Sequence, residues 1–318
     1  MRKLLFIAVA VSVGCGSQTL KDQSREAMPD KTGVAMGSPK QTAQSSALNK
    51  DQTQQDSTVG QHSTWFDATL NLTLAVNGGT AWVLDLVAAV TANEPTSCTG
   101  DTCTWGPGSG ALDYNNWMLV VTRKSDGSFH YELSGQPKNV AGAEFTTFLK
   151  GDATPSGSPH RGSGSFTIDF DAAQKLANPH GDVGTLTITY DNRAALSVQA
   201  GFLGVKDQNQ PLQRNNADYD YAADASGGGD MQIAVHNLTT DARFSLHSRW
   251  KSDGEGRADV NGSSASPAYS FSLSECWGVA PFAVVYFTSD VSALLGPDSG
   301  AETACAFPTA APVNKQAP

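Results

Sequence analysis

The sequence predicts an all-β domain, built as an antiparallel meander that forms either a sandwich or a curved half-barrel. From Trp65 onward, apolar residues alternate with small polar residues in short segments, which is the pattern of half-buried strands. Turn-forming residues bound these segments, in keeping with the 31 Gly and 15 Pro of the chain. Tight loops of this composition join antiparallel neighbours, so the segments are expected to pair in chain order.

Individual strands are predicted where every second residue is apolar. These segments are 70–76, 129–133, 166–170, 186–190, 231–235, 244–250 and 269–273. Three continuous apolar runs, 80–90, 117–122 and 282–287, are typical of strands covered on both faces. Only 171–177 and 290–295 have a helical pattern. The sequence therefore predicts about ten to twelve strands and no helix long enough to fill a hollow between them.

Residues 1–14 predict a secretory signal peptide. Arg2 and Lys3 precede an apolar run that ends at Val13, and this run is too short for a membrane span of about 18 residues. An exported chain is the expected consequence.

The signal segment ends at Ser12-Val13-Gly14-Cys15, which resembles the lipobox of bacterial lipoproteins. The resemblance implies that Cys15 becomes the lipidated N-terminus, although Ser12 stands where an aliphatic residue is commonest. Acyl chains on Cys15 would make a lipid bilayer the first partner. Gly16, in place of the Asp associated with inner-membrane retention, implies the outer membrane, with the domain facing the periplasm or the cell surface.

The rest of the chain divides by composition into a tether, a folded domain and a tail. Residues 15–64 are predicted to be the lipidated Cys15 and a disordered tether, because this stretch has no aromatic residue and few branched apolar residues. Such a tether would separate its ends by about 40 Å. The all-β domain is predicted over 65–307 and a Pro-rich tail over 308–318.

The charge of the chain excludes one class of partner. It has 31 Asp and Glu against 21 Lys and Arg, a formal charge of -10. Nucleic-acid binding needs clustered positive charge, so no nucleic-acid partner is expected.

Four cysteines follow Cys15, and an even number in an exported chain favours disulfides. We predict local pairing, which joins Cys98 to Cys103 and Cys276 to Cys305. The C-x4-C spacing of the first pair has no further zinc ligands nearby.

Candidate sites for chemistry are sparse. The sequence has no G-x-S-x-G, H-E-x-x-H, Walker or dinucleotide motif, so we expect a protein that is not an enzyme. The segment DGEGRADVNG brings oxygen ligands close together in sequence, at Asp253, Glu255, Asp259 and Asn261, and it is the candidate calcium site, although it lacks the EF-hand order. Asp85 interrupts a predicted apolar strand, where a buried carboxylate would need an Arg or backbone N–H partner.

The segment from Gly256 to Tyr286 resembles the C-terminal part of envelope lipoproteins of gliding delta-proteobacteria. In both, a Gly-Arg-Ala-Asp turn (here 256–259) precedes a strand that ends in Glu-Cys-Trp (here 275–277), and a Tyr-containing strand follows. The resemblance implies a β fold and an envelope location, and those relatives supply no activity to carry over.

These observations favour a non-enzymatic outer-membrane or surface lipoprotein that binds an unknown envelope protein or has a structural role. The rival hypothesis is a periplasmic carrier of lipid or another apolar ligand, and a glycan hydrolase comes third. An apolar cavity of several hundred cubic ångströms would favour the carrier, and a dry interior would favour the binding protein.

Lipid anchoring is predicted to depend on Cys15. Cys15→Ser removes the thiol that accepts the lipid, so the precursor should stay uncleaved at this site and take up no labelled fatty acid in growing cells. Labelling of the variant at the parental level would contradict the lipobox assignment.

Overall fold

The computed structural model describes residues 19–39, 59–110, 113–179, 181–206, 212–313 and 315–318. The helices are α1 Leu20–Ala27, α2 Lys31–Val34, α3 Thr64–Thr91, α4 Phe170–Ala173 and α5 Ser292–Leu295, with a 3-10 turn at Glu302–Ala304. The strands are β1 Ser97–Thr99, β2 Thr102–Gly108, β3 Asn115–Arg123, β4 Phe129–Pro137, β5 Thr146–Pro155, β6 Gly162–Asp169, β7 Thr185–Asp191, β8 Ser197–Lys206, β9 Arg214–Ala223, β10 Gly229–Asn237, β11 Arg243–Trp250, β12 Gly256–Ala265, β13 Ala268–Trp277, β14 Val284–Ser289 and β15 Ser299–Gly300.

All strands belong to one open antiparallel sheet. The fifteen strands follow chain order from β1 to β15, so each pairs with its neighbours in sequence. This arrangement confirms the predicted all-β meander, with more strands than expected. The sheet is a single layer, and a sheet this long normally curls.

A long helix, α3, occupies the stretch where two strands were predicted. The prediction of strands at 70–76 and 80–90 is wrong, because Thr64–Thr91 is one 28-residue helix. The expectation that no helix could fill the interior is therefore also wrong. The buried residues of α3 follow helical spacing, and they are Phe66, Thr69, Leu70, Thr73, Val76, Thr80, Val83, Leu84, Val87 and Thr91.

The helix crosses the sheet from one side to the other. Near its start, Phe66 stacks on Phe282, with ring centroids 3.9 Å apart. Further along, the Thr69 hydroxyl bonds to Ser248 on β11 at 2.7 Å. Near its end, Trp82 stacks on Phe148 of β5 at 6.0 Å. A helix of this length measures about 42 Å, which corresponds to about nine strand spacings, so α3 spans most of the width of the sheet.

Local sequence explains why α3 resembles a pair of strands. Thr and Val residues favour strands, and Asn77-Gly78-Gly79 has the composition of a turn between two of them. In the helix, threonine hydroxyls bond back to carbonyls one turn earlier, as Thr73 does to Thr69 at 2.9 Å. The helix start does carry a sequence signal, because the Ser63 hydroxyl accepts a hydrogen bond from the Phe66 N–H at 2.9 Å as an N-cap.

Large aromatic side chains on the inner face lie over glycines of the neighbouring strand. Tyr131 is opposite Gly151, and Trp250 is opposite Gly229. A Cβ atom on Gly229 would lie 2.4 Å from the Trp250 ring, so no side chain fits there. The same relation joins other register partners, namely Trp117 with Gly135, Tyr190 with Gly164, Trp277 with Gly256 and Phe271 with Gly262. These rings pack flat along the sheet and leave room for α3.

The N-terminal segment differs from the predicted tether. Residues 19–39 form α1 and α2 and pack on the domain, with Met28 only 2% exposed. The Glu26 carbonyl accepts a hydrogen bond from the His160 N–H at 2.8 Å, and Asn77 exchanges two bonds with the Met36 backbone, each 2.9 Å long. The small number of apolar residues here is sufficient because most of them are buried, namely Ala27, Met28, Val34 and Met36. The remainder of the predicted tether, residues 40–58, lies outside the described residues.

Asp85 also departs from prediction, because it lies on the exposed side of α3 rather than inside a strand. Its carboxylate is 2.9 Å from the Lys31 ammonium of α2. The ion pair links the N-terminal segment to α3 at the surface.

The connections between strands lie at two opposite ends of the sheet. At one end, α1 packs near the connections 124–128 and 156–161, and we call this the α1 end. At the other, the connections 109–114, 138–145 and 170–184 lie near α4, and we call this the α4 end.

The packing of α3 on the sheet predicts unequal effects of two of its leucines. Leu70 is 6% exposed and Leu74 is 53% exposed. Leu70→Ala should lower the free energy of unfolding by about 2–5 kcal/mol, because it leaves a cavity against the sheet. Leu74→Ala should change it by less than about 0.5 kcal/mol. Urea denaturation measures both values, and equal losses would contradict this packing of α3.

Candidate functional site

The four predicted calcium ligands do not form a site. Asp253 and Glu255 lie in the β11–β12 turn, where Glu255 pairs with Lys251 at 2.6 Å. Asp259 lies six residues beyond Asp253, about 20 Å along an extended chain. Asn261 is exposed further along β12. Among the described residues, no group of three or more His, Cys, Asp or Glu is arranged to hold a metal ion.

The predicted disulfides are confirmed. Cys98 joins Cys103 across the β1–β2 hairpin, with a Cα separation of 4.1 Å. Cys276 joins Cys305, with a Cα separation of 5.5 Å, and attaches the C-terminal segment to β13. Cys15 lies outside the described residues.

Asp259 belongs to a buried ion-pair network on the outer face of the sheet, the face opposite α3. Its Oδ1 accepts from Arg257 Nε at 2.9 Å and from the Ser274 hydroxyl at 2.6 Å, and its Oδ2 accepts from the Ala311 N–H at 2.9 Å. Arg257 is 1% exposed and also pairs with Glu302 at 2.8 Å. Both Asp259 oxygens are therefore occupied, and the Gly-Arg-Ala-Asp sequence, predicted as a turn, lies within β12 and has a structural role.

The Glu-Cys-Trp end of β13 fixes the start of α3. Glu275 is fully buried, and its Oε1 accepts from the Ser63 hydroxyl at 2.5 Å and from the Trp65 N–H at 3.3 Å. A carboxylate at a helix N-terminus is stabilised by the free N–H groups and by the helix dipole. Trp277 packs edge to face on Phe66, with ring centroids 6.1 Å apart.

The Pro-rich tail is part of the domain, because it runs along the outer face from β13 towards β9. The Thr309 carbonyl accepts from Arg249 at 2.7 Å, and the Lys315 ammonium pairs with Asp220 at 2.5 Å. The Pro318 carbonyl accepts from the Asn216 amide at 2.9 Å. We call residues 309–313 and 315–318 the C-terminal strap.

Beside the strap, the outer face has a polar groove of about 710 Å³ that extends from β5 to β10. One register row forms its floor: Ser165, Thr189, Gln199, Asp220 and Gln232. Its walls are further hydroxyl and carboxylate side chains, including Thr154, Ser163, Asp152 and Asp191. The volume is in the range of small-ligand sites.

The carboxylates of the groove are already paired with cations of the same chain. Lys124 lies 2.6 Å from Asp152 and, through its hydrogen bond, lowers the pKa of that carboxyl. Arg193 lowers the pKa of Asp191 to about 2. These pairs neutralise much of the acidic charge, so the free groups of the floor are mainly hydroxyls and amides.

A second depression, apolar and about 400 Å³ in volume, opens at the α4 end between α3, β3 and the segment 170–182. Trp82, Trp117 and Phe170 form its aromatic walls. Behind them lies Phe148, whose ring centroid is 6.0 Å from each tryptophan ring. We call this depression the aromatic pocket.

Asn115 holds the wall of the aromatic pocket in place. Its Nδ2 donates to the Ala177 carbonyl at 3.0 Å, and its Oδ1 accepts from the Ala177 N–H at 2.8 Å. Gly135 has no side chain, and the side chains of Leu176 and Trp117 occupy the space above it. Residues 176 and 177 are therefore fixed on the pocket by both backbone and side-chain contacts.

Sequence reasoning missed the aromatic pocket because Trp82 was assigned to a strand. The groove could be anticipated only in part, since Thr189 and Gln232 of its floor occupy polar positions of strands whose alternation was recognised, while the strands of Gln199 and Asp220 were not predicted. Their convergence into one depression depends on the shape of the sheet, which the alternation does not encode.

Comparisons of the chain with protein-family models, with curated proteins and with solved structures find no match.

His247 makes the attachment of the C-terminal strap dependent on pH. It is 7% exposed, and its ring nitrogens contact Asp230 at 2.9 Å and the Pro312 carbonyl at 3.0 Å. Burial opposes the charged form, but these bonds to the imidazolium outweigh it and raise the pKa of His247. A raised pKa adds stability below the unfolded value of about 6.5, which is lost as pH rises through the folded value.

We therefore expect the free energy of unfolding to fall between pH 6 and pH 8 and His247→Gln to reduce this dependence. His62, whose pKa is also raised, leaves a residual slope in the variant. Urea titrations at several pH values measure how the free energy of unfolding depends on pH. An unchanged slope of this dependence in His247→Gln would refute the assignment.

Proposed function

We propose that this chain is a lipid-anchored, non-enzymatic binding protein of the bacterial outer membrane, and that its polar groove binds a hydroxyl-rich ligand such as a glycan. The observation that carries the proposal is the groove itself, a 710 Å³ depression on the outer face with a floor of hydroxyl, amide and carboxylate groups. The signal segment and the resemblance of Ser12–Cys15 to a lipobox support the anchor.

The chemistry of the groove favours a neutral hydrogen-bonding ligand over a basic one. Its carboxylates Asp152, Asp191 and Asp220 each have a Lys or Arg nitrogen within 2.6 Å, and Asp230 has the His247 imidazole at 2.9 Å, so a basic peptide would have to displace an existing partner. Thr189 and Gln199, in contrast, present exposed polar groups. Neighbouring strands lie about 4.8 Å apart, so the floor offers such groups at regular intervals to a polymeric ligand.

The packed N-terminal segment supports a domain that lies close to the bilayer. Thr19 follows Cys15 by four residues, a reach of at most about 14 Å. The helix α1 lies beside the connections 124–128 and 156–161. A lipid on Cys15 would therefore hold the α1 end of the sheet near the headgroups and leave the outer face accessible.

A second candidate function is transport or sensing of an apolar ligand, and the aromatic pocket favours it. The interior that a lipid carrier would use is filled by α3, which contacts strands across the sheet from β2 to β12. The aromatic pocket, at about 400 Å³, has room for a small ligand with an apolar body.

Binding in the groove can be tested with two threonines on the outer face of β7. Thr189 lines the groove and Thr187 does not, and both are exposed. With soluble oligosaccharides released from the envelope as ligands, Thr189→Val should weaken binding by roughly two- to tenfold, the value of one hydrogen bond. Isothermal titration calorimetry of the folded parent and variant measures the effect.

Thr187→Val is the matched control, because it makes the same chemical change on the same strand outside the groove. Its affinity should equal that of the parent. Equal weakening by both variants, or no binding of any oligosaccharide by the folded parent, would argue against a glycan site in the groove.

A further inference from the structure

We infer that the aromatic pocket is a binding site for a small organic cation, a quaternary ammonium group attached to an apolar body. This inference deepens the second candidate function and rests on the pocket binding a ligand. Aromatic faces combined with carboxylates, and with no cationic side chain among the described lining residues, define the ligand class.

The aromatic contribution comes from three elements of the fold. Trp82 lies on α3, Tyr114 and Trp117 lie at the start of β3, and Phe170 begins α4. The negative faces of such rings attract cations, most strongly when water is excluded. Trp82 stacks on Phe148 with 7° between the ring planes, so packing holds its orientation.

Two carboxylates, Asp113 and Asp182, lie at the rim of the pocket. Asp113 is fixed by accepting from the Gly110 N–H at 2.6 Å. Asp182 is held through its backbone, because its carbonyl accepts from the Gln174 amide at 2.5 Å. Both side chains are exposed at the entrance, where they would meet the charged end of a ligand.

The described residues that line the pocket include no Lys, Arg or His. The nearby Lys138 ammonium donates to the Gly110 carbonyl at 2.9 Å and is not part of the lining. A fatty acid would therefore bring its carboxylate against two carboxylates without a cation to receive it. The charge of the rim selects a cation over an anion of the same shape.

The test uses three probes of similar shape: benzyltrimethylammonium, its neutral isostere neopentylbenzene, and the anion phenylacetate. Binding to the folded protein is followed by tryptophan fluorescence, since Trp82 and Trp117 line the pocket, and by calorimetry. We expect saturable binding of the cation, roughly tenfold tighter than that of the neutral isostere, and no binding of phenylacetate.

Variants at the rim test the charge without disturbing the core. Asp182→Asn should weaken binding of the cation by roughly threefold or more and leave binding of neopentylbenzene unchanged, and Tyr114→Ala should weaken binding of the cation more than binding of neopentylbenzene. Tyr114 is 59% exposed, so its loss should not affect folding. Glu144→Gln, an exposed carboxylate at the same α4 end outside the pocket, is the matched control and should bind as the parent does.

The outcomes separate this inference from the function on which it rests. If neopentylbenzene binds as tightly as the cation, or phenylacetate binds equally well, the cation site is overturned and an apolar-ligand site remains. If the folded parent binds none of the three probes, both are overturned. Equal weakening by Asp182→Asn and Glu144→Gln would show a general charge effect and would also overturn the inference.

Discussion

The packing of α3 against one face of the sheet is the interaction on which the rest of the fold depends. An open sheet of fifteen strands has one apolar face that water would otherwise reach. The inner-face residues Leu119, Leu133, Leu149, Ile168 and Leu186 are each 0% exposed in the folded protein. Burial of such side chains contributes about 1.5–3 kcal/mol each, so the helix and the sheet stabilise each other.

The two ends of the chain also pack on the sheet. The N-terminal segment packs on the α1 end, and the C-terminal strap runs over the outer face, where Asp259 and His247 hold it. Glu275 belongs to the same strand as Cys276, which carries the disulfide to the C-terminal segment. Two adjacent residues of β13 therefore hold different parts of the chain. Glu275 on the inner face binds the start of α3, and Cys276 on the outer face is joined to Cys305, shortly before the C-terminal strap.

Much of the sheet could be predicted from the sequence, because alternation reports which face of a strand is buried. Segments such as 129–133 and 186–190 lie within β4 and β7 as predicted. The local disulfides followed from the even number of cysteines after Cys15 and from the preference for pairing between neighbours in sequence. The failure at 65–91 has a physical cause: α3 carries apolar residues such as Leu74 on its exposed side as well as on its buried side, so its 3.6-residue period is weak and Thr and Val dominate the pattern.

The candidate sites were less predictable than the fold. Trp82 and Trp117 are far apart in sequence and meet only because α3 crosses β3 and β5. The groove likewise depends on how five or six strands align their polar rows. Asp259 illustrates the opposite error, since a run of oxygen ligands suggested calcium while Arg257, Ser274 and Ala311 occupy its oxygens.

The position of α3 in the chain has a consequence for biogenesis. Ser63 contacts Glu275 across 212 residues of sequence, and Thr69 contacts Ser248 across 179. Contacts this distant form late, because the chain must first lose the entropy of closing long loops. Meanwhile α3 is long and apolar enough to cross a membrane. During synthesis this helix therefore emerges well before the strands that cover it, and its apolar side stays uncovered until the sheet forms.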